Sequence, residues 1–274
     1  MVISETVLSA AKLLAENARF EAELIVMNVL GISRSELVLH GKSEVTADEH
    51  EKIIKFANRR KSGEPLQYIL GECEFMSLQF SVSPGVLIPR ADTETLVETV
   101  IENCEDSMKV IDICSGSGCI GISIAHYVKD ILVDMVDISD KAVETAKKNI
   151  AANGVGERVK VKKMDILNEY PLEKYDIAVS NPPYIETEVI DTLQTEVKDY
   201  EPLIALDGGN DGLIFYQRII DTASNFLKNN GLLAFEIGYN QGESVKAMMS
   251  ENFKNVELIK DLCGNDRVVI GRLK

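Results

Sequence analysis

Apolar positions in the first seventy residues recur every three or four places. Val7, Leu8, Ala11, Leu14 and Ala15 follow that spacing, and Ala18 to Leu30 forms a second such segment, ended by Gly31. Ser33-x-x-Glu36 and Thr46-x-x-Glu49 are capping-box patterns that predict helices running toward Val38 and Arg60. Residues 1–70 are therefore expected to form a small helical bundle. The period then changes. Phe75, Leu78, Phe80, Val82 and Val86 alternate loosely across 71–89, as in a short hairpin. Ile88-Pro89-Arg90 leads into a helix that Asp92 or Thr93 is placed to cap.

From Val110 onward, short apolar runs alternate with helical patterns. Strands are expected at 109–113, 131–136, 159–163, 176–180 and 232–237. Helices are expected at 118–127, from the cap Ser139 to Asn153 with Gly154 as its stop, and near 212–227. Two further strands, 256–262 and 268–272, flank the turn Gly264-Asn265-Asp266. Repeated strand–helix–strand units ending in an antiparallel pair predict an α/β fold, a doubly wound sheet with one reversed strand.

Length and charge refine this picture. The chain has 274 residues, 45% of them hydrophobic, comfortable for two domains with sizeable cores. Its net charge of −15 opposes a tight, non-specific hold on phosphate backbones. Residues 1–70 hold 10 acidic and 9 basic residues, so −14 falls on the remainder. Arg59-Arg60-Lys61 suits an acidic partner, but a solvated helix end is the simpler reading. The five cysteines form no Cys-x-x-Cys pair, and with three histidines no metal-ligand spacing appears. This usage fits a cytosolic protein with reduced, mostly buried thiols. Glu5 and Lys12 interrupt the first apolar stretch, unlike a signal peptide, and no apolar run approaches the ~18 residues of a spanning helix.

The chemistry concentrates in two places. The first is Val110-Ile111-Asp112-Ile113-Cys114-Ser115-Gly116-Ser117-Gly118-Cys119-Ile120-Gly121: a strand, a glycine turn and a helix start. Glycine permits positive φ and close approach of a ligand, and the helix N-terminus favours an anionic group. Gly116, Gly118 and Gly121 fit G-x-G-x-x-G, and Asp137 ends the next strand, where a carboxylate can take ribose hydroxyls. This pattern points to an adenosine-containing cofactor and leaves nicotinamide dinucleotides open. Asp165, after the third strand, is placed to accept from an adenine amino group or to serve as a loop cap.

The second is Ser180-Asn181-Pro182-Pro183-Tyr184, directly after the apolar run 175–179. Neither proline has an N–H, and both fix φ near about −65°. The result is a stiff ledge of hydrogen-bond acceptors, suited to a planar –NH2 group, with Tyr184 as an apolar face. With Asp137 and Asp165, Asn181 completes a series of acidic and amide groups at the carboxyl edge of the sheet.

These residues resemble S-adenosylmethionine-dependent methyltransferases. Within that group they are similar to the family that methylates the side-chain amide of glutamine in peptide-chain release factors. The resemblance spans nearly the whole chain. It rests on 63–71, on Leu87-Ile88-Pro89-Arg90-Ala91-Asp92-Thr93-Glu94, and on the glycine loop. It continues through Val136-Asp137-Ile138-Ser139, Asn181-Pro182-Pro183-Tyr184-Ile185, 201–209 and Glu236-Ile237-Gly238. Cys114-Ser115 stands where the family often has Gly-Thr, Ala91 where it often has Pro, and Ile166 where an aromatic can line the adenine.

The resemblance implies a Rossmann-like methyltransferase sheet over 90–274, a helical substrate-docking domain over 1–70 and a hairpin linker over 71–89. It further implies that Asn181 and the Pro182 carbonyl accept the substrate amide, with Pro183 stiffening the turn and Tyr184 walling the glutamine stem. S-adenosylmethionine would lie against Cys114, Ser115, Gly116, Ser117, Gly118, Asp137, Asp165, Ile166 and Asn181. The implied partner is a release factor, with a bearing on translation termination, in the cytoplasm. No direct nucleic-acid or membrane partner and no metal is expected, and a monomer is the default. The same ledge occurs in methyltransferases of nucleic-acid bases, which the acidic charge disfavours. A nicotinamide oxidoreductase would leave the ledge unexplained, as would a catalytically silent binding module. No role for Arg90, Glu201 or Glu236 follows from the sequence beyond packing or a loosely held place for Arg90 at the site entrance.

Overall fold

Reciprocal capping sets the helix starts of the N-terminal part. Ser33 Oγ accepts from the Glu36 N–H at 3.2 Å while the Glu36 carboxylate takes the Ser33 N–H at 2.8 Å. Thr46 and Glu49 make the same exchange at 3.3 and 2.8 Å. Each exchange satisfies donors that a helix start leaves orphaned. The computed structural model describes residues 1–14 and 18–274. Ala15, the last position of the first apolar pattern, lies outside the described residues.

The chain divides into two units, Met1–Gly71 and Glu72–Lys274. The first holds α1 (Ile3–Ala11), α2 (Ala18–Leu30), α3 (Arg34–Leu39), α4 (Ala47–Lys61) and α5 (Leu66–Leu70). Ile3, Val7, Ile25, Val26, Ile53 and Ala57 meet in its core. The basic run at the end of α4 is engaged within this unit: Arg59 pairs with Glu64, and Arg60 with Glu21 at 2.9 Å.

The second unit opens with a hairpin, β1 (Glu72–Phe75) and β2 (Leu78–Ser81), turned by Met76 and Ser77, both at positive φ. A 3-10 turn at Ala91–Thr93 leads into α6 (Glu94–Glu102). Then follow β3 (Lys109–Ile113), α7 (Cys119–Tyr127), β4 (Leu132–Asp137), α8 (Asp140–Ala152), β5 (Val159–Lys163) and β6 (Tyr175–Ser180). The short α9 (Thr195–Lys198) precedes α10 (Ile214–Phe226), β7 (Leu227–Glu236), α11 (Gly242–Asn252), β8 (Phe253–Lys260) and β9 (Asp266–Leu273). The seven-stranded sheet has the order β5-β4-β3-β6-β7-β9-β8. Pairs from β5 to β7 are parallel, and β9 runs antiparallel to both of its neighbours. This is the doubly wound sheet with one reversed strand that the alternation predicts.

The central strands are apolar on both faces because helices cover both. Val110 faces α6, α7 and α8, while Ile111 and Ile113 face α10 and α11. The chain reverses direction across the sheet between β3 and β4 on one side and β6 on the other. That crevice lies beyond the carboxyl ends of the strands, where this architecture leaves room for a ligand.

Two expectations require correction. Neither Asp92 nor Thr93 caps α6; Asp92 pairs with Arg267 at 3.1 Å, and the Thr93 hydroxyl is committed elsewhere. The thiols are also less buried than expected: Cys119 is buried, Cys73, Cys104 and Cys114 are half-buried, and Cys263 is exposed. All five are free.

Candidate active site

The loop after β3 turns on three glycines with three different tasks. Gly116 has φ +55°, and a Cβ there would meet no protein atom within 4 Å, so its outer face stays open to a ligand. Gly118 has φ +82°, and its Cβ would press on Ile122, Met135 and Ala146 at 3.0–3.3 Å. Gly121 lets α7 close onto the sheet: its Cβ would stand 2.7 Å from Met135 Sδ and 3.1 Å from Asp112 Oδ2. That approach allows the Gly121 N–H to donate to Asp112 at 3.0 Å.

Asp137, at the end of β4, pins the same loop. Its Oδ2 accepts from the Gly116 N–H at 2.8 Å and its Oδ1 from the Ser139 N–H at 2.9 Å. Burial pushes its pKa up against the pull of these bonds. Asn149 of α8, fully buried, reaches the loop from behind. It donates to the Ser117 carbonyl at 2.9 Å and exchanges bonds with the Ser81 backbone at 2.7 and 3.1 Å. Cys114 stands at φ +62°, a conformation that favours glycine. We expect Cys114→Gly to be more stable than Cys114→Ala by about 1 kcal/mol, since both lose the thiol and only one keeps the left-handed cost. Paired chemical denaturation curves measure that difference.

A cavity of about 240 Å³ opens at the carboxyl ends of β3, β4, β5 and β6. Cys114, Ser115, Gly116, Ser117, Asp137, Asp165, Ile166, Asn181 and Pro183 line it, with Arg90 and Thr93 at the side of α6. Gly118, Pro182 and Tyr184 are not among its walls. Gly118 is turned into the α7–α8 packing, and Tyr184 packs against the core that α10 and α11 cover. The cavity suits an adenosyl ligand with a charged tail. Ser115 Oγ is buried there without a hydrogen-bond partner, Gly116 leaves the backbone accessible, and Val136, Met164 and Ile166 offer an apolar slot. Asp165 supplies a carboxylate at the edge of that slot, held by the Leu167 N–H at 3.0 Å and the Asn168 amide at 2.7 Å.

The ledge is braced from three sides. Ser180 Oγ donates to the Ile113 carbonyl at 2.6 Å, tying the end of β6 to the end of β3. Behind the prolines, Ile185 exchanges backbone bonds with Leu206 and Gly208 at 2.9 and 2.8 Å. Gln241 Nε2 donates to the Tyr184 carbonyl at 3.0 Å, while its Oε1 accepts from the Gly238 N–H at 3.0 Å. Glycines make this possible: a Cβ at Gly208 would lie 2.7 Å from Tyr184 Cα, and one at Gly212 would lie 2.3 Å from the Tyr184 carbonyl oxygen. Asn181 Nδ2 donates to Thr93 Oγ1 at 3.3 Å. Among the described residues, neither Asn181 Oδ1 nor the Pro182 carbonyl accepts a hydrogen bond. The ledge therefore presents two idle acceptors.

Three carboxyl groups surround this centre in low-dielectric positions. Arg90 pairs with Glu201 at 2.6 Å, and burial still raises the Glu201 pKa against the Arg90 charge and the Ile88 N–H. Glu236, at the end of β7, is raised to about 7, mainly by burial. Asp112 is fully buried with Oδ1 unpartnered, and burial raises it to about 8, with the nearby Asp137 charge adding to the rise. Burial likewise lifts the Tyr184 phenol to about 12.

The Asp112 shift has a sign that can be tested. A carboxyl whose folded pKa exceeds its unfolded value of 3.8 favours folding fully below 3.8. That contribution is lost as pH rises to about 8. Asp112→Asn keeps an acceptor for Gly121 without the ionisation. Relative to wild type, it should gain stability between pH 4 and pH 8, by up to about 1.4 kcal/mol per pH unit. Parallel denaturation series give this difference, because other titrating groups are common to both proteins.

Sequence reasoning placed the glycine loop, Asp137, Asp165, Asn181 and Pro183 together at one edge. It missed Thr93, Asn149, Gly212, Gln241 and the setting of Glu236. Thr93 and Glu236 stood in stretches of the resemblance with no site role attached, and Asn149 left a signal of its own, a polar residue in the buried register of Ala142, Thr145 and Ala146.

The family model described as methyltransferase small domain matches residues 88–198, and the PrmC N-terminal domain matches 5–71. A release factor glutamine methyltransferase of Clostridium botulinum is 43% identical over 259 residues, covering 93% of this chain and 92% of that protein. Its namesake in Clostridium acetobutylicum is 42% identical, covering 98% of each. The Bacillus cereus one is 36% identical over the full length of both. Among solved structures, a ribosomal protein L11 methylase from Lactobacillus delbrueckii subsp. bulgaricus superposes with a TM-score of 0.50 at 22% identity. It covers 70% of this chain and 84% of its own, a likeness of fold alone. A glycine loop pinned by an acid, an acceptor ledge beside it and near-full-length identity to these proteins together lead to one assignment: the chain belongs to the family of release factor glutamine methyltransferases.

Proposed function

We propose that this protein transfers a methyl group from S-adenosylmethionine to the side-chain amide nitrogen of a glutamine in peptide-chain release factors, and so modulates translation termination. The observation that carries this reading is the pair of idle acceptors, Asn181 Oδ1 and the Pro182 carbonyl, on a rigid ledge whose Asn181 and Pro183 line the cofactor cavity. A primary amide has two N–H donors, and the ledge matches them with two acceptors.

An amide nitrogen is a poor nucleophile because its lone pair is delocalised onto the carbonyl. Asn181 and Pro182, by accepting its two hydrogens, orient the nitrogen and stabilise the positive charge that grows on it. On transfer the nitrogen would gain the methyl carbon as the methyl–sulfur bond breaks, its electron pair staying with the departing neutral thioether, and the amide gives up one proton to solvent. The loop 114–117, Asp137, Asp165 and Ile166 would hold the cofactor, which when bound supplies a methyl carbon already activated by a positive sulfur. The protein's main contribution is alignment, which can supply roughly 7–11 kcal/mol. Pro183 keeps the ledge from relaxing, and Tyr184, anchored through Gln241, is the wall we assign to the glutamine stem.

We assign substrate docking to the helical residues 1–70, where Val38 and Leu39 are 78% and 77% exposed, and catalysis to 90–274, with the 71–89 hairpin segment between them in sequence. No helix among the described residues is long and apolar enough to cross a membrane. Five free thiols fit the reducing cytoplasm, the net charge of −15 disfavours a nucleic-acid substrate, and a monomer is the state we propose.

The test offers labelled S-adenosylmethionine with release factors, total RNA and duplex DNA in parallel, and maps the acceptor by peptide mass spectrometry. One methyl on a release-factor glutamine is the expected result. Label confined to nucleic acid would overturn the substrate assignment.

A further inference from the structure

The Asn181 side chain can be an acceptor toward substrate only in one of its two flipped orientations. An amide is nearly symmetric in shape, so the ledge backbone cannot choose between them. The choice must come from what the other end of the amide meets. There the structure holds Thr93 and Glu236, each 2% exposed. Asn181 Nδ2 donates to Thr93 Oγ1 at 3.3 Å. Thr93 has one hydroxyl proton. By accepting from Asn181 it is left to donate that proton onward, and both Thr93 and Asn181 approach the Glu236 carboxyl closely enough to hold its pKa down by hydrogen bonding. Glu236 Oε2 is buried with no hydrogen-bond partner.

We infer that Glu236, through Thr93, is the positioning residue that fixes the acceptor polarity of the ledge. An ionised carboxylate can only accept, so it draws the Asn181 NH2 inward and leaves Oδ1 facing the substrate. A neutral acid or a carboxamide at 236 can donate, which permits the flipped amide and places an N–H against the substrate amide. Two donors then oppose each other, and the nitrogen is no longer held. This inference rests on the reading of Asn181 as the amide acceptor.

The charge state of Glu236 accordingly matters. Burial raises it to about 7; the Thr93 and Asn181 bonds and the Arg267 charge oppose that rise, and Asp92 adds to it. Tyr184 and Tyr216, both pushed further toward their neutral forms by Glu236, and the Cys119 thiol, raised by burial, are the other titratable groups that feel it. None of these three ionises near neutrality. Arg267, paired with Asp92 at 3.1 Å and Asp261 at 3.2 Å, remains charged throughout. Glu236 is thus the group in this cluster that changes charge around pH 7.

The experiment uses the full-length protein with a release factor as substrate. Wild-type kcat should rise with pH through a midpoint near 7. Glu236→Gln, close in shape, should lower kcat at least 30-fold and flatten that profile, with the release-factor KM and calorimetric cofactor affinity within threefold of wild type. Thr93→Val should lower kcat comparably, and Thr93→Ser should restore it, which separates the hydroxyl from packing and serves if Glu236→Gln folds poorly. A second readout needs no turnover. The side-chain amide NMR signals of Asn181, assigned by their loss in Asn181→Ala, should shift with a midpoint near pH 7 in wild type and stay fixed in Glu236→Gln. If Asn181→Ala abolishes transfer while Glu236→Gln keeps the wild-type rate and pH profile, the positioning role is overturned and the amide reading stands. Full activity in Asn181→Ala would overturn the amide reading, and the NMR titration would still report whether Glu236 sets the Asn181 orientation.

Discussion

Asn181→Ala should lower the turnover of release-factor methylation by about 10²–10³-fold, the usual cost of removing one preorganised group at a developing charge. The variant loses Oδ1, one of the two idle acceptors, while the Pro182 carbonyl and the glycine loop stay in place. Cofactor affinity should change little, since Asn181 is one wall residue among the many that line the cavity. Calorimetric titration with S-adenosylmethionine and single-turnover methylation separate the two effects. Asn181→Asp is the sharper companion. It keeps an acceptor but replaces the NH2 with a second oxygen facing Thr93 and Glu236, so repulsion between carboxylates should disturb the ledge and leave activity near that of the alanine variant. A turnover close to wild type in Asn181→Ala would remove the proposed role of the side chain.

The second large effect is expected at a residue with no functional group. Gly212 has φ +70°, and a Cβ there would lie 2.3 Å from the Tyr184 carbonyl oxygen and 2.6 Å from Gln241 Nε2. The carbonyl belongs to the ledge backbone and cannot swing aside as a flexible side chain would. Gly212→Ala must therefore push the ledge away from its brace. A displacement of about 1 Å at a reacting centre can cost 10²-fold, and that is the expected loss in turnover. Gly154→Ala is the control. It carries a comparable left-handed backbone at φ +68°, but its Cβ meets nothing within 4 Å. Both variants should lose roughly 1–2 kcal/mol of stability to the left-handed conformation, and only Gly212→Ala should lose methyl transfer. Equal activity in the two would mean that the ledge tolerates the shift.

Periodicity and short motifs carried much of this protein's description because they encode local physics. The capping pairs Ser33–Glu36 and Thr46–Glu49 lie within one turn of each other and formed as their spacing predicts. The apolar runs of β3, β4 and β6 announced strands, and their alternation with helices announced a doubly wound sheet. Gly116, Asp137, Asp165 and Asn181 were legible as a site because strand ends in such a sheet share one edge. The sequence by itself thus determined the elements, the fold class and the chemical groups at that edge.

What the tertiary structure decided depends on partners far apart in the chain. Thr93 reads as a helix cap in sequence and is instead bonded to Asn181, 88 residues away. Gln241 braces Tyr184 across 57 residues, and Asn149 joins the hairpin to the glycine loop across 68. Arg59 and Arg60 looked like a solvated patch until Glu64 and Glu21 closed on them. The positive φ of Cys114 was hidden for the opposite reason, since a cysteine gives no hint of a glycine conformation imposed by the loop around it. Orientation of the ledge, the charge state of the carboxyl behind it and the glycines that let its brace approach are set by burial and three-dimensional proximity. No local pattern encodes those, because each side chain's hydrogen bonds and dielectric surroundings exist only once distant segments have packed together.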